Sequence, residues 1–351
     1  MTKPTLVNLL IAAVLAATSF FLSGCTDSRP VLHVYNWSDY MDPDVIKAFE
    51  KKYGCRVVVD TFDSNEAMFS KIRAGGGTGY DLIFPTGYMA KIMNEQGMIE
   101  PLNHALIPNL KYVDKIYLAE KATDGAMRYS VPYMIGSTGI AYRTDRVKEA
   151  PTSWAVFGDA TYAGRMTMLN DMREAIGAAL ISLGFSPNTI DDEELAKARD
   201  QLIAWKRNLA KFDAEQYKNG VASGEFFIVQ GYSGDVLQVM EEVDTVDYVL
   251  PEEGFLIATD VMVIPMGAAN PDLAYKFINF LHDPAVAAQN MEWVMFLCPN
   301  EGAYALVPEE IRNNEAIFIP AELLEHAHII EDLGENNRKY SQVWDAVLSA
   351  R

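Results

Sequence analysis

Aromatic and acidic residues recur in this chain where an apolar run gives way to polar sequence. Trp37-Ser38-Asp39-Tyr40 follows the run Val31 to Tyr35, and Thr86 and Tyr88 follow Tyr80 to Phe84. Asp171 and Glu174 follow Arg165 to Leu169, Tyr232 and Asp235 follow Glu225 to Gln230, and Asp260 interrupts the apolar stretch Phe255 to Pro265. A carboxylate accepts charge-assisted hydrogen bonds and an aromatic face attracts a cation, so a site assembled from these residues would suit a small, positively charged solute. Carboxylates with tryptophan also bind sugars, although several carboxylates at one site favour a cation. Taken singly, each aspartate is first a candidate helix cap. Asp260 differs: a charge inside so apolar a strand must be paired or face a cavity, because burying it alone costs several kcal/mol.

No catalytic set accompanies these residues. Gly231-Tyr232-Ser233-Gly234-Asp235 approximates a nucleophile elbow, but its second glycine comes one position early and Asp235 stands where that glycine is needed. Gly75-Gly76-Gly77-Thr78-Gly79 lacks the Gly-Lys-Ser/Thr ending that cradles phosphate and reads as a turn ending a helix. His326 and His328, two positions apart on an expected helix, diverge by roughly half a turn and read as surface residues rather than metal ligands. No cofactor, metal or catalytic residue is therefore expected. The formal net charge of −19 repels nucleic acid and favours small cations as partners, while also keeping a secreted protein soluble.

Alternating short apolar strands and capped amphipathic helices must bring these residues together. Val31 to Tyr35 reads as a strand, and Asp42-Pro43 then opens a helix carrying Val45, Ile46, Phe49 and Tyr53 on one face up to Gly54. Val57 to Thr61 is the next strand, Ser64 caps a helix through Arg73, and Tyr80 to Phe84 is a third strand. A second block starts near Gly139, with strands around Arg165 to Leu169 and Glu225 to Gln230. Helices over Asp171 to Leu183, Glu193 to Leu209 and Ser233 to Glu242 accompany them. Asn270-Pro271 opens a further helix, and Val343, Trp344, Val347 and Leu348 form the apolar stripe of a terminal one. This order predicts an α/β class with parallel strands and crossover helices, in which ligands meet the carboxyl ends of the strands. No low-complexity linker separates the blocks. The domains should join through strands, with crossings near Gly136 to Ile140, near Thr259 and again after Phe296.

The amino terminus is a processing signal. Lys3, the apolar run Leu6 to Leu22 and the closing Leu22-Ser23-Gly24-Cys25 have the order of a secretory leader. The run is shorter than the ~20 residues that span a bilayer comfortably, which disfavours a retained transmembrane helix. The closing tetrad resembles the bacterial lipobox. That resemblance implies a signal peptide at 1–24, lipidation of Cys25 and a tether over 25–30, with the body held at a membrane surface by its acyl chains. Cys55 and Cys298 then permit one disulfide without requiring it.

Four segments carry a wider resemblance: Val34-Tyr35-Asn36-Trp37-Ser38-Asp39-Tyr40, Tyr80-Asp81-Leu82-Ile83-Phe84-Pro85-Thr86, Ser130-Val131-Pro132-Tyr133 and Ile278-Asn279-Phe280-Leu281. They look like the spermidine/putrescine-binding periplasmic proteins, in compatible order from about Leu32 to the carboxyl terminus. The resemblance implies a type II periplasmic-binding fold: two α/β lobes, 31–137 with 259–301 and 138–258 with 302–351, closing on ligand in the cleft between them. It makes Trp37 and Tyr232 aromatic walls and Asp39, Glu174, Asp235 and Asp260 ammonium partners. Ser38, Thr86, Tyr88 and Asp171 line the cleft beside Tyr40. Phe296 stands where the family often has tyrosine, and Ala258 where it usually has a large aromatic residue. The function so implied is extracytoplasmic capture of a polyamine by a monomeric, membrane-anchored lipoprotein and its delivery to an ABC permease with its ATPase. The rivals are a receptor of the same fold for another solute, such as a sugar or an iron complex, and a lipoprotein hydrolase, for which the catalytic set is missing.

Overall fold

The computed structural model describes residues 27–117 and 124–350, so the leader and the proposed lipidation of Cys25 lie outside the described residues. β1 (Val31–Trp37), β2 (Arg56–Phe62) and β3 (Leu82–Ile83) form a parallel sheet in the order β2-β1-β3. The first crossover helix, Pro43–Tyr53, starts where Asp42 accepts the Asp44 N–H at 2.7 Å and stops at Gly54, whose φ of 63° suits glycine. It buries Val45 and Phe49, and Phe49 meets Phe277 edge-on at 4.6 Å. The next helix, Asn65–Ala74, begins where the Ser64 hydroxyl accepts the Ala67 N–H. The glycine run after it is the expected helix-ending turn.

The second sheet comprises β4 (Val131–Arg143), β5 (Met166–Met168), β6 (Leu209–Phe212), β7 (Ile228–Tyr232), β8 (Val246–Val249), β9 (Phe255–Met262) and β10 (Ala327–Ile329). Its order is β10-β9-β4-β7-β5-β6, with β8 also on β4. The pairs β5–β6, β5–β7 and β9–β10 are parallel, whereas β4 runs antiparallel to β7, β8 and β9, so the all-parallel expectation holds only in part.

β4 is the structural spine. Its first half pairs with β9, from Val131 opposite Met262 to Thr138 opposite Leu256, and its second half pairs with β7 and β8. Ile135 also exchanges backbone hydrogen bonds with Leu297, and β9 reaches the first sheet through the Ile83–Val263 bridge. That bridge and the Thr86–Asp260 bridge tie the two sheets together. The block expected to start near Gly139 thus begins earlier, at Val131. A register shift between Pro132 and Met134 absorbs the proline.

The helix expected to carry His326 and His328 is absent: His328 lies in β10 and His326 in the turn before it. Among the described residues no group of His, Cys, Asp or Glu is placed to hold a metal ion. Cys55 and Cys298 are buried and free. Among the described residues no helix is long and apolar enough to cross a membrane.

Candidate ligand site

A cavity of about 380 Å³ opens where strand ends from both sheets converge, and every site residue expected from the sequence lies on its wall. Trp37, Ser38, Asp39 and Tyr40 come from the end of β1 and the turn after it. Thr86 and Tyr88 sit at the start of the helix Gly87–Glu95, and Asp171 and Glu174 at the start of Met172–Ser182. Tyr232 and Asp235 mark the passage from β7 into Ser233–Glu242, Asp260 projects from β9, and Phe296 follows the helix Pro284–Val294. Ala258, two positions before Asp260, faces the same cavity.

Local chemistry holds each group. Asp39 adopts φ 51°, a turn conformation that aspartate tolerates better than most residues. Asp171 caps its helix, accepting the N–H groups of Arg173 and Glu174 at 2.9 and 3.1 Å through one oxygen. The Tyr232 N–H donates to the Tyr217 hydroxyl, which donates to Asp235 at 2.7 Å. Tyr40 donates to Asp260 Oδ2 at 2.8 Å. The Phe296 ring stands edge-on to Tyr40 at 5.1 Å and is seated on two glycines: a Cβ at Gly136 or Gly234 would lie 2.5 or 2.2 Å from it. The Trp37 ring leans on Phe62 at 4.3 Å. Ser233, the would-be nucleophile, is buried and its hydroxyl accepts the Ser137 N–H.

Crowding of carboxylates in a poorly solvated cleft raises their affinity for protons. Burial, then the charge of Asp171, pushes Glu174 up to about 8. Burial pushes Asp260 up to about 7, against the pull of the Tyr40 hydrogen bond. Burial also raises Asp171, opposed by its two backbone N–H bonds, and raises Asp235, opposed by the charge of Lys218. Asp260 Oδ1, Glu174 Oε2 and the Trp37 indole N–H are buried without any hydrogen-bond partner in the protein. The two carboxylate oxygens call for a ligand that brings its own donors and positive charge, whereas the indole N–H can only donate.

Two basic residues of the wall escaped the sequence reading. Arg173 is buried but turned into the protein body, donating to the Glu331 carbonyl and Asn188 and lying 4.6 Å over the Tyr340 ring. Lys218 reaches across the cavity to Asp39 at 2.8 Å and lies 3.9 Å from Asp235. The sequence around it, Glu215-Gln216-Tyr217-Lys218-Asn219-Gly220, carries no signal that singles Lys218 out.

The arrangement can bind a small, positively charged solute. The sequence profile described as Bacterial extracellular solute-binding protein matches residues 44–319. The chain is 30% identical to spermidine/putrescine-binding periplasmic protein 1 of Haemophilus influenzae, over 98% of this chain and 99% of that one. A solved structure from Listeria monocytogenes assigned to spermidine/putrescine ABC transport superposes with a TM-score of 0.87 at 33% identity, covering 92% of this chain and 99% of its own. A lipoprotein of Treponema pallidum superposes with a TM-score of 0.80 at 34% identity, covering 90% of this chain and 99% of its own. The fold is accordingly that of the periplasmic binding proteins.

Proposed function

Because the chain belongs to the bacterial extracellular solute-binding proteins, a family of transport receptors rather than enzymes, we propose that its solute is a polyamine, spermidine or putrescine. It captures this solute outside the cytoplasm and hands it to an ABC permease with its ATPase. The observation that carries the reading is the pair of unpartnered buried carboxylate oxygens, Glu174 Oε2 and Asp260 Oδ1, on a wall shared with Trp37 and Tyr232. A polyamine ammonium brings three N–H donors to such oxygens. Its methylenes cover the aromatic faces, and each cation–π contact adds roughly 0.5–2 kcal/mol. The names of the relatives support the same solute class.

Binding is coupled to lobe closure about β4, β9 and the Leu297 segment, where the second sheet meets the first through the Ile83–Val263 and Thr86–Asp260 bridges. The body works as a monomer, held at the membrane by a lipid on Cys25, as the Leu22-Ser23-Gly24-Cys25 tetrad supports. Native mass spectrometry and calorimetry of the purified protein test the reading. We expect a retained diamine or triamine, and a monoamine of matched length at least about tenfold weaker. Absence of heat with both putrescine and spermidine would overturn the polyamine assignment, and a retained sugar or iron complex would replace it.

A further inference from the structure

Lys218 stands on the helix Tyr217–Ser223, and its ammonium lies between two carboxylates from different parts of the fold. Asp39 comes from the turn after β1, 179 residues away in sequence, and Asp235 from the helix after β7. Both were expected, from family resemblance, to face the ammonium groups of a ligand. Lys218 and Asp235 are each only 17% exposed, so this charge is part of the cavity wall and not a loose surface lysine. Its tether is fixed at both ends: Tyr217, the preceding residue, is fully buried and hydrogen-bonded to Asp235, and the next turn packs Gly220 against Phe226.

We infer that Lys218 is an internal ammonium that takes up the Asp39–Asp235 end of the cleft, leaving the Asp171–Glu174–Asp260 end to the solute and setting the receptor for a diamine over a triamine. The inference rests on the polyamine reading. At the solute's end Asp171, Glu174 and Asp260 have no lysine beside them among the residues that line the cavity, and the Arg173 guanidinium donates away from them to the Glu331 carbonyl and Asn188, so these carboxylates are left for the two ammonium groups of a diamine. A third ammonium would have to seat beside Asp39 or Asp235, within a few ångströms of the Lys218 cation, and like charges at that range repel, most strongly at the Asp235 side, where both partners are only 17% exposed.

The test is calorimetry with putrescine and spermidine on the full mature chain and on Lys218→Met, which keeps the apolar stem and removes the charge. Wild type should bind putrescine at least as tightly as spermidine. Lys218→Met should shift the affinity ratio toward spermidine by about tenfold or more, and Lys218→Arg should restore the wild-type order. A ratio in Lys218→Met within about threefold of wild type, or a wild-type preference for spermidine beyond about tenfold, overturns the inference. Carboxyl-carbon NMR of the ligand-free proteins supplies a reading independent of the solute: removing Lys218 should move the Asp235 titration to higher pH. If wild type binds neither amine, the polyamine reading fails. The Asp235 titration then decides the Lys218 contact alone, which stands if the titration moves and falls if it does not.

Discussion

Replacing Asp260 with asparagine should strengthen the ligand-free protein and weaken its hold on solute. Burial raises this carboxyl from 3.8 to about 7. A carboxyl whose folded value is raised binds its proton more tightly in the native state than in the unfolded chain. Stability is therefore full below pH 4, falls as pH rises toward about 7, and stays reduced above it. At about 1.4 kcal/mol per pH unit the ionised side chain costs the ligand-free protein about 4 kcal/mol at pH 8. Asparagine keeps an acceptor for the Tyr40 hydroxyl but places an amide N–H₂ where Oδ1 has no partner, which costs about 1–3 kcal/mol. The net expectation is a gain of about 1–3 kcal/mol at pH 8 that disappears or reverses near pH 4. Binding moves the other way, because a solute ammonium loses its buried counter-charge: about 2–5 kcal/mol, or roughly thirtyfold to several thousandfold. Urea unfolding of the ligand-free variant at both pH values and polyamine calorimetry at pH 8 read the two effects. Asp272→Asn, on the exposed first turn of the helix Pro271–Leu281, makes the same change in net charge and should behave as wild type in both. The reasoning is refuted if Asp260→Asn destabilises equally at both pH values, or if it binds polyamine within tenfold of wild type.

Polyamine affinity should rise with pH between 5 and 8, because Asp260 near 7 and Glu174 near 8 must give up protons to pair with ammonium. Below pH 7 each displaced proton weakens binding by up to about tenfold per pH unit. Calorimetry in two buffers of different ionisation enthalpy counts the released protons, and a pH-independent affinity would contradict the electrostatic account. Cys25→Ser should abolish metabolic labelling by an acyl-chain probe, and persistent labelling would rule out the anchor. Small-angle scattering should show a smaller radius of gyration with saturating solute than without, since closure about β4 and β9 brings the walls together; an unchanged radius with binding confirmed would exclude the hinge.

Much of the site was legible from the chain alone because its elements are set by local rules. Asp42, Ser64 and Asp171 each cap the helix that their residue type and position announce, since a cap bonds to backbone only two or three residues away. Asp260 drew attention because a lone charge in an apolar strand must answer to a cavity, and it does face one. The rule that open α/β sheets bind at strand ends, together with the family resemblance, singled out residues that prove to share one wall. Tertiary structure decided the rest. The first half of β4, with Pro132 and Gly136 in it, lies ahead of the block expected from Gly139 and is held in the sheet by pairing with β9 more than a hundred residues later. The charge balance of the cleft was hidden in the sequence. Lys218 meets Asp39 across 179 residues of chain, and Arg173 turns from Asp171 toward Asn188 and Tyr340. Periodicity and capping report on neighbours a turn or two apart. Which cations stand among the cleft carboxylates depends on how distant segments are brought face to face, and only the folded chain sets that.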